Sequence, residues 1–460
     1  MVRSAGFILL ARTLAPTASF GVVYLLARIR GVELVGQFNT AMAVLALFQV
    51  FGGLGLENYL VREVARNPQE ARELIRAATR AVLPICIATA AAAFLTALVT
   101  GYDRAVVEAV AAGCLVLVPS TLVTILDSVF IGLRRTRTVA IVSAAENALR
   151  LCLSISVIVL RPDVRLLLAV NAAARFAALL FYQVSVSGLP RVHVAGHGRL
   201  HFLRGMSAFI GILAVYSLFW RADILFLARL RGVTDAGIYS IAQKMVMIFF
   251  LVSSSVVSAV LPRLAQAREG SGFAAGFRHA FAFLAFYSVA VAAVLIVRGQ
   301  ELFDLLGLGT RFATSGSVLT VLALLIPLMS LIELCFRSLL AAGFEKECLR
   351  IGMRSLVVGL VLVGVAAWYG GVTWTAWAMV AAASFDLGQI GWRLGPLVDG
   401  LTEALARMIL EAAALGVLLL AGSGLPLIPF LGLAAVGHVL LSRAFSVVKW
   451  TDVRAVLLTR

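Results

Sequence analysis

Long apolar stretches follow one another along almost the whole chain, and each is about as long as a membrane-crossing helix. Roughly 20 mostly apolar residues in a helix span the hydrocarbon of a bilayer. The strict alternation of lipid-facing β-strands is absent. The predicted fold is therefore an all-α, polytopic helical bundle. Its fourteen predicted spans lie near residues 5–27, 37–60, 80–101, 105–132, 139–160, 164–187, 205–228, 236–261, 277–297, 314–342, 351–369, 371–392, 402–421 and 424–443.

The chain also repeats itself at a constant offset. Residues 26–32 and 227–233 differ at one position, and Gly36 and Phe48 align without a gap with Gly237 and Phe249. Six spans separate the copies, so both enter the membrane in the same direction, as in transporters built from parallel repeats. The predicted domains are an N-terminal six-helix bundle at 1–187, a cytosolic linker at 188–204, a C-terminal six-helix bundle at 205–400, and helices 13 and 14 with a cytosolic tail at 401–460.

Composition agrees with a membrane protein, since 62% of the 460 residues are hydrophobic and 13% are charged. The net charge of +16 does not indicate a nucleic-acid partner, because most Arg and Lys residues fall on one side of the predicted topology. This positive-inside bias places both termini in the cytosol and the protein in the cell inner (plasma) membrane. The excess of basic residues is then explained by contact with anionic membrane lipids.

Charged residues inside the predicted spans are the strongest functional signal, because each costs roughly 2.5–3.5 kcal/mol at a helix centre unless it is paired or faces a cavity. The cations predicted to bind an anionic substrate are Arg12, Lys244, Arg221 and Arg175. Two acid–arginine pairs, Glu146–Arg150 and Glu333–Arg337, have the i,i+4 spacing that lets opposite charges neutralise each other on one helix face. Residues predicted to serve ion coupling or structural pairing are Asp127, Glu146, Arg150, Asp223, Glu333 and Arg337.

Two predicted external arginine pairs have two possible roles. Arg28/Arg30 and Arg229/Arg231 follow equivalent spans. They could bind a phosphate group, or they could anchor the protein to lipid headgroups and cap the helix C-termini; we favour the second role.

Three prolines, Pro16, Pro119 and Pro327, lie inside predicted spans, where proline permits a bend. A bend at Pro16 would lie beside Arg12, whereas for the other two we expect ordinary packing kinks.

No sequence feature indicates catalysis, a cofactor or a metal. The connections are too short for a soluble domain, there is no P-loop, and the five cysteines stand singly. His193, His197 and His201 have helical spacing, but nearby glycines favour a solvated linker over a metal site. The sequence predicts a transporter without a cofactor. The short external loops also disfavour a membrane-embedded glycosyltransferase or polymerase.

Several motifs resemble polysaccharide biosynthesis flippases of the O-antigen and exopolysaccharide type, within the superfamily of multidrug, oligosaccharidyl-lipid and polysaccharide exporters. The resemblance extends over most of residues 1–400. The segments that carry it are Ala27-Arg28-Ile-Arg-Gly, Gly36-Gln-Phe and Gly53-Leu-Gly-Leu-Glu-Asn-Tyr-Leu-Val-Arg62-Glu in the first half, and Trp220-Arg-Ala-Asp223, Gly237-Ile-Tyr-Ser240 and Leu261-Pro262-Arg263 in the second.

The resemblance implies two six-helix bundles and a flippase that moves a polyprenyl-pyrophosphate-linked oligosaccharide to the outer leaflet by alternating access. It also implies a partnership with polysaccharide polymerase or export machinery. Our hypothesis is that Arg12, Arg221 and Lys244 bind the pyrophosphate near the interface of the halves. A cation or drug antiporter stays open because of Asp127, Glu146 and Asp223. A lipid II-type flippase stays open because it needs the same pyrophosphate chemistry.

Overall fold

The computed structural model describes residues 2–53, 56–187, 207–267, 271–309, 312–398 and 400–445, with side chains of the first helix described from Pro16 onward. Within these ranges the secondary structure is helical and contains no strand. The predicted all-α class is therefore confirmed. The chain forms two compact units, Met1–Ser240 and Ile241–Arg460. The predicted domain boundaries, including the linker that lies outside the described residues, stay a prediction.

The first unit is built from long helices joined by short turns. Strongly apolar sequence with few internal breakers accounts for their length. Its helices are α1 (Val2–Arg30), α2 (Val32–Gly53), α3 (Leu56–Arg66), α4 (Ala71–Val99), α5 (Arg104–Cys114), α6 (Leu117–Gly132), α7 (Thr136–Leu160), α8 (Val164–Ser187), α9 (Ser207–Phe219), α10 (Ala222–Leu230) and the first turns of α11 (Val233–Ala267).

The second unit contains the rest of α11 and seven further helices. The helix α12 is central, because α13, α14, α17 and α18 all contact it. The helices are α12 (Ser271–Leu305), α13 (Ala313–Leu322), α14 (Leu325–Ala341), α15 (Glu345–Tyr369), α16 (Gly371–Leu394), α17 (Leu401–Ala421) and α18 (Leu427–Ala444).

Within the described residues, each of the fourteen predicted spans overlaps one or two helices, but the count of fourteen is not confirmed. In the described part of the chain, 10 helices are long and apolar enough to cross a membrane, or 12 if each of two bent helix pairs is one span. The helix α1 enters this comparison with only part of its side chains described. The helix α16 is helical over 24 residues, but its tryptophans, threonines and Asp386 lower its mean hydropathy.

Two predicted spans are broken rather than straight. Span 4 bends by 41° between α5 and α6, and span 7 bends by 46° between α9 and α10. The first break, at residues 115–116, lies three to four residues before Pro119, whose ring clashes with the carbonyl of the preceding turn. The predicted bend at Pro119 is thus observed, whereas α1 continues as one helix through Pro16.

The internal repeat is visible as a close helix crossing inside the first unit. A Cβ placed on Gly36 of α2 would lie 1.7 Å from the Val233 carbonyl oxygen, and one on Gly237 of α11 would lie 2.2 Å from the Val32 carbonyl oxygen. These residues match pairwise at the repeat offset. Reciprocal contact of equivalent residues is what a two-fold axis requires, so the start of α2 and the start of α11 cross on a local pseudo-two-fold axis.

The next polar pair along this crossing follows the same rule. The Asn39 amide donates to the Ser240 hydroxyl at 3.1 Å, and both residues are buried at positions 201 apart. One residue from each copy of the repeat therefore completes the other's hydrogen bonding. Glycines permit the close approach and this hydrogen bond adds to it, as in other helix pairs built on small residues.

The hairpin of α17 and α18 is docked on α12 by polar contacts at two levels. Deep in the second unit, Nε2 of His438 lies 2.7 Å from the Phe286 carbonyl oxygen and its Nδ1 lies 3.2 Å from Glu411. At the turn, the Arg298 guanidinium donates to the carbonyls of Ser423, at 2.9 Å, and Leu425. The hydrogen bonds of His438 and Arg298 to backbone carbonyls thus tie the hairpin to α12 and close its turn.

Candidate functional site

One group of charged side chains in the first unit lies where α6, α7 and α8 meet. Arg175 of α8 donates to the Glu146 carboxylate of α7 at 3.0 Å. The Tyr182 hydroxyl, two turns after Arg175 on α8, donates to the Asp127 carboxylate of α6. Glu146 and Tyr182 are buried, while the Arg175 side chain is 30% exposed. The cluster thus joins three predicted spans and keeps one cation partly accessible.

Glu146, which the sequence predicts to be paired with Arg150, has a second arginine close to it, Arg175. The Arg150 guanidinium donates to the Asn147 side chain, and Glu146 lies within electrostatic range of both Arg150 and Arg175. Glu146 forms an ion pair with Arg175, on the neighbouring helix. An i,i+4 spacing brings two side chains to one face, but a cation from a facing helix competes for the same carboxylate.

Arg221 and Asp223 occupy the break in span 7. Arg221 leaves the helical conformation, with φ −125° and ψ −7°, and caps α10. Asp223 is fully buried and accepts hydrogen bonds from the Ile224 amide and the Tyr239 hydroxyl, both at 2.8 Å. A carboxylate at a helix start satisfies free amides and complements the dipole. Asp223 therefore has a structural role here that its sequence position did not reveal.

Arg221 retains a buried hydrogen-bond donor that a ligand could engage. Its Nε is buried and has no hydrogen-bond partner among the described residues. A buried donor without a partner costs about 1–3 kcal/mol, and an anionic ligand would recover that cost. Among the predicted cations whose side chains are described, Arg221 is the one with such a donor.

In the second unit, the predicted pair Glu333–Arg337 is present. The Arg337 guanidinium lies 2.8 Å from the Glu333 carboxylate on α14, and the Ser254 hydroxyl of α11 donates to the same carboxylate at 3.0 Å. The second carboxylate oxygen, Oε2, is buried without a partner in the part of the chain that the structure describes. This carboxylate can thus accept a further proton or cation.

The remaining predicted residues are only partly placed. Lys244 lies on α11 in the second unit and is partly buried. Arg12 lies on α1, but its side chain is outside the described side chains. His193, His197 and His201 fall outside the described residues altogether. Within the described residues, no group of three or more His, Cys, Asp or Glu side chains is arranged to hold a metal ion.

In the arginine pair that ends α1, Arg30 makes a capping contact. Arg30 donates to the carbonyls of Ile158 and Val159, at 2.8 and 2.7 Å, at the C-terminal end of α7. Arg28 donates to the Tyr24 hydroxyl at 2.9 Å. The carbonyls of a last helical turn lack intrahelical partners, so Arg30 satisfies them from another helix.

A second charged group surrounds the turn between α7 and α8. The Arg165 side chain lies 2.6 Å from Asp163 and 3.0 Å from Glu108. Hydrogen bonds from Arg165 lower the pKa of the Asp163 carboxyl. In the turn between α4 and α5, burial raises the pKa of Tyr102 to about 12, and its hydroxyl donates to the Leu225 carbonyl at 3.3 Å. These contacts hold turns together and leave little charge for a ligand.

Sequence reasoning missed the polar partners that satisfy the buried acids. Tyr182, Tyr239 and Ser254 are ordinary residues of apolar helices when seen in sequence alone. A weak signal existed for Tyr182, because it follows Arg175 by seven residues and so shares its helix face. No local spacing links Tyr239 to Asp223 or Ser254 to Glu333, since each pair joins two helices.

The fold is shared with solved transporters. A lipid II flippase MurJ in an inward closed conformation matches with a TM-score of 0.76 and 13% identity, over 98% of this chain and 100% of that chain. An inward-facing multidrug resistance MATE family transporter of the MOP superfamily matches with a TM-score of 0.64 and 12% identity, over 84% and 95%. The MATE multidrug transporter DinF-BH in complex with R6G matches at 0.63 and 13%, over 85% and 93%.

At these identities the structural matches establish the fold and no more. No curated protein sequence matches the chain at a significant level. The family comparison reaches further, because residues 1–268 match the family described as polysaccharide biosynthesis protein. That segment is more than half of the 460 residues and includes all of the motifs that carried the resemblance. The chain belongs to the polysaccharide biosynthesis protein family.

Proposed function

We propose that the protein is a flippase that moves a polyprenyl-pyrophosphate-linked oligosaccharide from the cytosolic to the outer leaflet by alternating access, for export of a surface polysaccharide. The family membership of residues 1–268 carries this proposal. A fold shared over full length with a lipid II flippase supports it. Such a cargo needs a carrier, because neither a pyrophosphate nor a sugar chain crosses hydrocarbon unaided.

The pyrophosphate is bound by Arg12, Arg221 and Lys244 in this proposal. The buried Nε of Arg221 without a partner among the described residues supports its part, because guanidinium donors match phosphate oxygens bidentately. Arg175 acts together with Glu146, which already accepts its hydrogen bond. A phosphate that approaches Arg175 would have to compete with that carboxylate, so the pair is suited to exchanging partners during transport.

The protein is a multi-pass membrane protein of a transporter family. We place it in the inner (plasma) membrane with both termini in the cytosol, on the basis of the positive-inside bias. It acts as a carrier and not as an enzyme, and it delivers its cargo to a polymerase or export machinery.

Depletion of the protein in its native cell tests the function. The extracted polyprenyl-pyrophosphate glycan pool and the exported polysaccharide are measured together after depletion. A rising lipid-linked glycan pool with loss of surface glycan is the expected outcome, because the block lies between synthesis and polymerisation. Unchanged pools of both would overturn the proposal.

A complementation series tests the residues. The single variants Arg12→Gln, Arg221→Gln and Lys244→Gln and their triple combination are expressed in depleted cells, and export is compared at matched protein levels. The control replaces two exposed cations, Lys346 and Arg278, with glutamine. We expect the triple variant to lose export while the control retains it. Full export by the triple variant would remove the binding assignment and leave the flippase proposal standing.

Two alternatives from the same superfamily predict other outcomes. A lipid II-type flippase would cause peptidoglycan precursors to accumulate on depletion, with surface glycan lost only secondarily. A cation or drug antiporter would leave both lipid pools unchanged and alter efflux of cationic dyes. The buried oxygen of Glu333 without a partner among the described residues is the observation that favours the antiporter, since such a site attracts a cation.

A further inference from the structure

A groove opens in the second unit where the first turns of α15 meet the last turns of α16. Its volume is about 480 Å³, and its walls include Arg354 on α15 and Gln389, Trp392 and Arg393 on α16. The lining residue Gln389 begins a short chain of buried hydrogen bonds. There the Gln389 amide donates to the Ser355 hydroxyl at 3.0 Å, which donates to a buried Asp386 oxygen at 2.6 Å.

The charges that face the groove are not balanced. Its one acidic lining residue, Glu347, is engaged by Arg350 at 2.6 Å. Neither Arg354 nor Arg393 forms an ion pair within the described residues. Arg393 instead lies with its guanidinium carbon 4.5 Å from the centre of the Phe344 ring. Two guanidinium groups thus border one groove without an ion pair of their own among the described residues, which favours an anionic ligand.

The same groove has an apolar wall. The side chains of Trp392 and Phe385 are 88% and 41% exposed. At Gly388, which also lines the groove, an added Cβ would meet no atom within 4 Å. Tryptophan with arginine at a helix end is typical of the membrane interface. The acyl chain of a lipid would contact this apolar wall, whereas a free phosphate ion would gain nothing from it.

We infer that this groove binds an anionic phospholipid, with the headgroup phosphate at Arg354 and Arg393 and an acyl chain along Phe385 and Trp392. Guanidinium forks bind phosphate oxygens bidentately. On the predicted topology this end of α15 and α16 faces the cytosol, where the leaflet attracts basic residues. The inference is independent of the proposed transport function, because the groove lies within the second unit and uses none of the residues assigned to the cargo.

Lipid retention by the purified, full-length protein tests the inference. Native mass spectrometry from detergent compares phosphatidylglycerol with phosphatidylcholine of the same acyl chains, and inorganic phosphate is the competitor. We expect preferential retention of phosphatidylglycerol that millimolar phosphate does not reverse. Equal retention of the two lipids, or saturation by phosphate alone, would overturn the inference.

Two sets of variants locate the site. Arg354→Gln and Arg393→Gln should each lower phosphatidylglycerol retention about fivefold, whereas the double variant Lys346→Gln/Arg278→Gln should not change it. Gly388→Leu should fill the groove and abolish retention, whereas Gly391→Leu should not. Gly391 is a matched control because an added Cβ there also meets no atom within 4 Å but the residue does not line the groove.

Thermal unfolding of each lipid-free variant checks the fold. Gly388→Leu adds volume where there is open space, so its melting temperature should stay near that of the parent protein. Full phosphatidylglycerol retention by a folded Gly388→Leu variant would sink the proposed position of the lipid, whatever the arginine variants do.

Discussion

Buried carboxylates of this protein are satisfied mainly by side chains from neighbouring helices. Arg175 on α8 pairs with Glu146 on α7, and the Tyr239 hydroxyl on α11 donates to Asp223 on α10. Each contact replaces water that a membrane helix lacks, and removing one partner leaves a charge uncompensated. At the residue scale, these cross-helix partners decide which predicted charges are structural and which keep capacity for a ligand.

The Glu146–Arg175 pair allows a direct measurement. Glu146→Gln should destabilise the protein by roughly 3 kcal/mol, at the lower end for breaking a buried pair, because the arginine side chain is 30% exposed and water screens it. A lowered melting temperature in detergent is the readout. The added substitution Arg175→Gln should recover part of the loss, because it removes the uncompensated cation.

Glu403→Gln is the control for that measurement. Its partner Arg407 lies 2.5 Å away on α17, and both side chains are well exposed, at 66% and 44%. Exposed pairs contribute about 0–1 kcal/mol, so this variant should unfold close to the parent. Equal destabilisation by Glu146→Gln and Glu403→Gln would contradict the assignment of a buried pair.

At the scale of helices, small residues and broken helices position the polar groups. Glycines at equivalent places let α2 and α11 cross at backbone contact. The break before α10 frees amides that Asp223 occupies and leaves Arg221 at the bend. Neither effect requires a long-range force, because close approach needs the absence of a Cβ and a helix start always presents unpaired amides.

The crossing predicts a strong effect from a very small change. Gly36→Ala should prevent normal folding, because the added methyl would lie 1.7 Å from a backbone oxygen and overpacking costs about 1–3 kcal/mol even where side chains can move. Gly391→Ala should be neutral or stabilising, since it meets no atom and alanine favours helix by about 1 kcal/mol. Yield of monodisperse protein and melting temperature report both; similar values for the two variants would count against the crossing.

The docking of the α17–α18 hairpin gives a separate prediction. Arg298→Gln should free the turn around Ser423, because that turn loses its bonds to the guanidinium and Phe430 loses the cation 4.6 Å from its ring. Hydrogen exchange at residues 422–430 should accelerate, while exchange deep in α12 stays unchanged. Arg350→Gln, an exposed arginine paired on its own helix, is the control. Unchanged exchange at the turn would show that apolar packing alone holds the hairpin.

At the scale of the molecule, the two units hold their buried acids in different surroundings. The first unit concentrates its charge at Asp127, Glu146 and Arg175, between α6, α7 and α8. The second places Glu333 between α14 and α11, where Ser254 reaches it. Each unit thus surrounds its buried acids with a different set of polar partners.

Topology is a prediction for the whole chain. A fluorescent protein fused after Arg460 should fold and fluoresce, and alkaline phosphatase at the same place should be inactive, because the positive-inside bias places the C-terminus in the cytosol. Phosphatase inserted at residue 162, between α7 and α8, should be active. The opposite pattern would reverse the orientation of every span.

The sequence by itself determined the helical class, the repeat, the family and the i,i+4 pair Glu333–Arg337, because these depend on local composition, fixed spacing or motif identity. The packing of the helices determined that Glu146 pairs with Arg175, that the Tyr239 hydroxyl donates to Asp223 and that Arg30 donates to the last carbonyls of α7. Those contacts join residues far apart in the chain, and no periodicity encodes which helices become neighbours. The groove between α15 and α16 belongs to the same class, since two arginines 39 positions apart face it only after the helices pair.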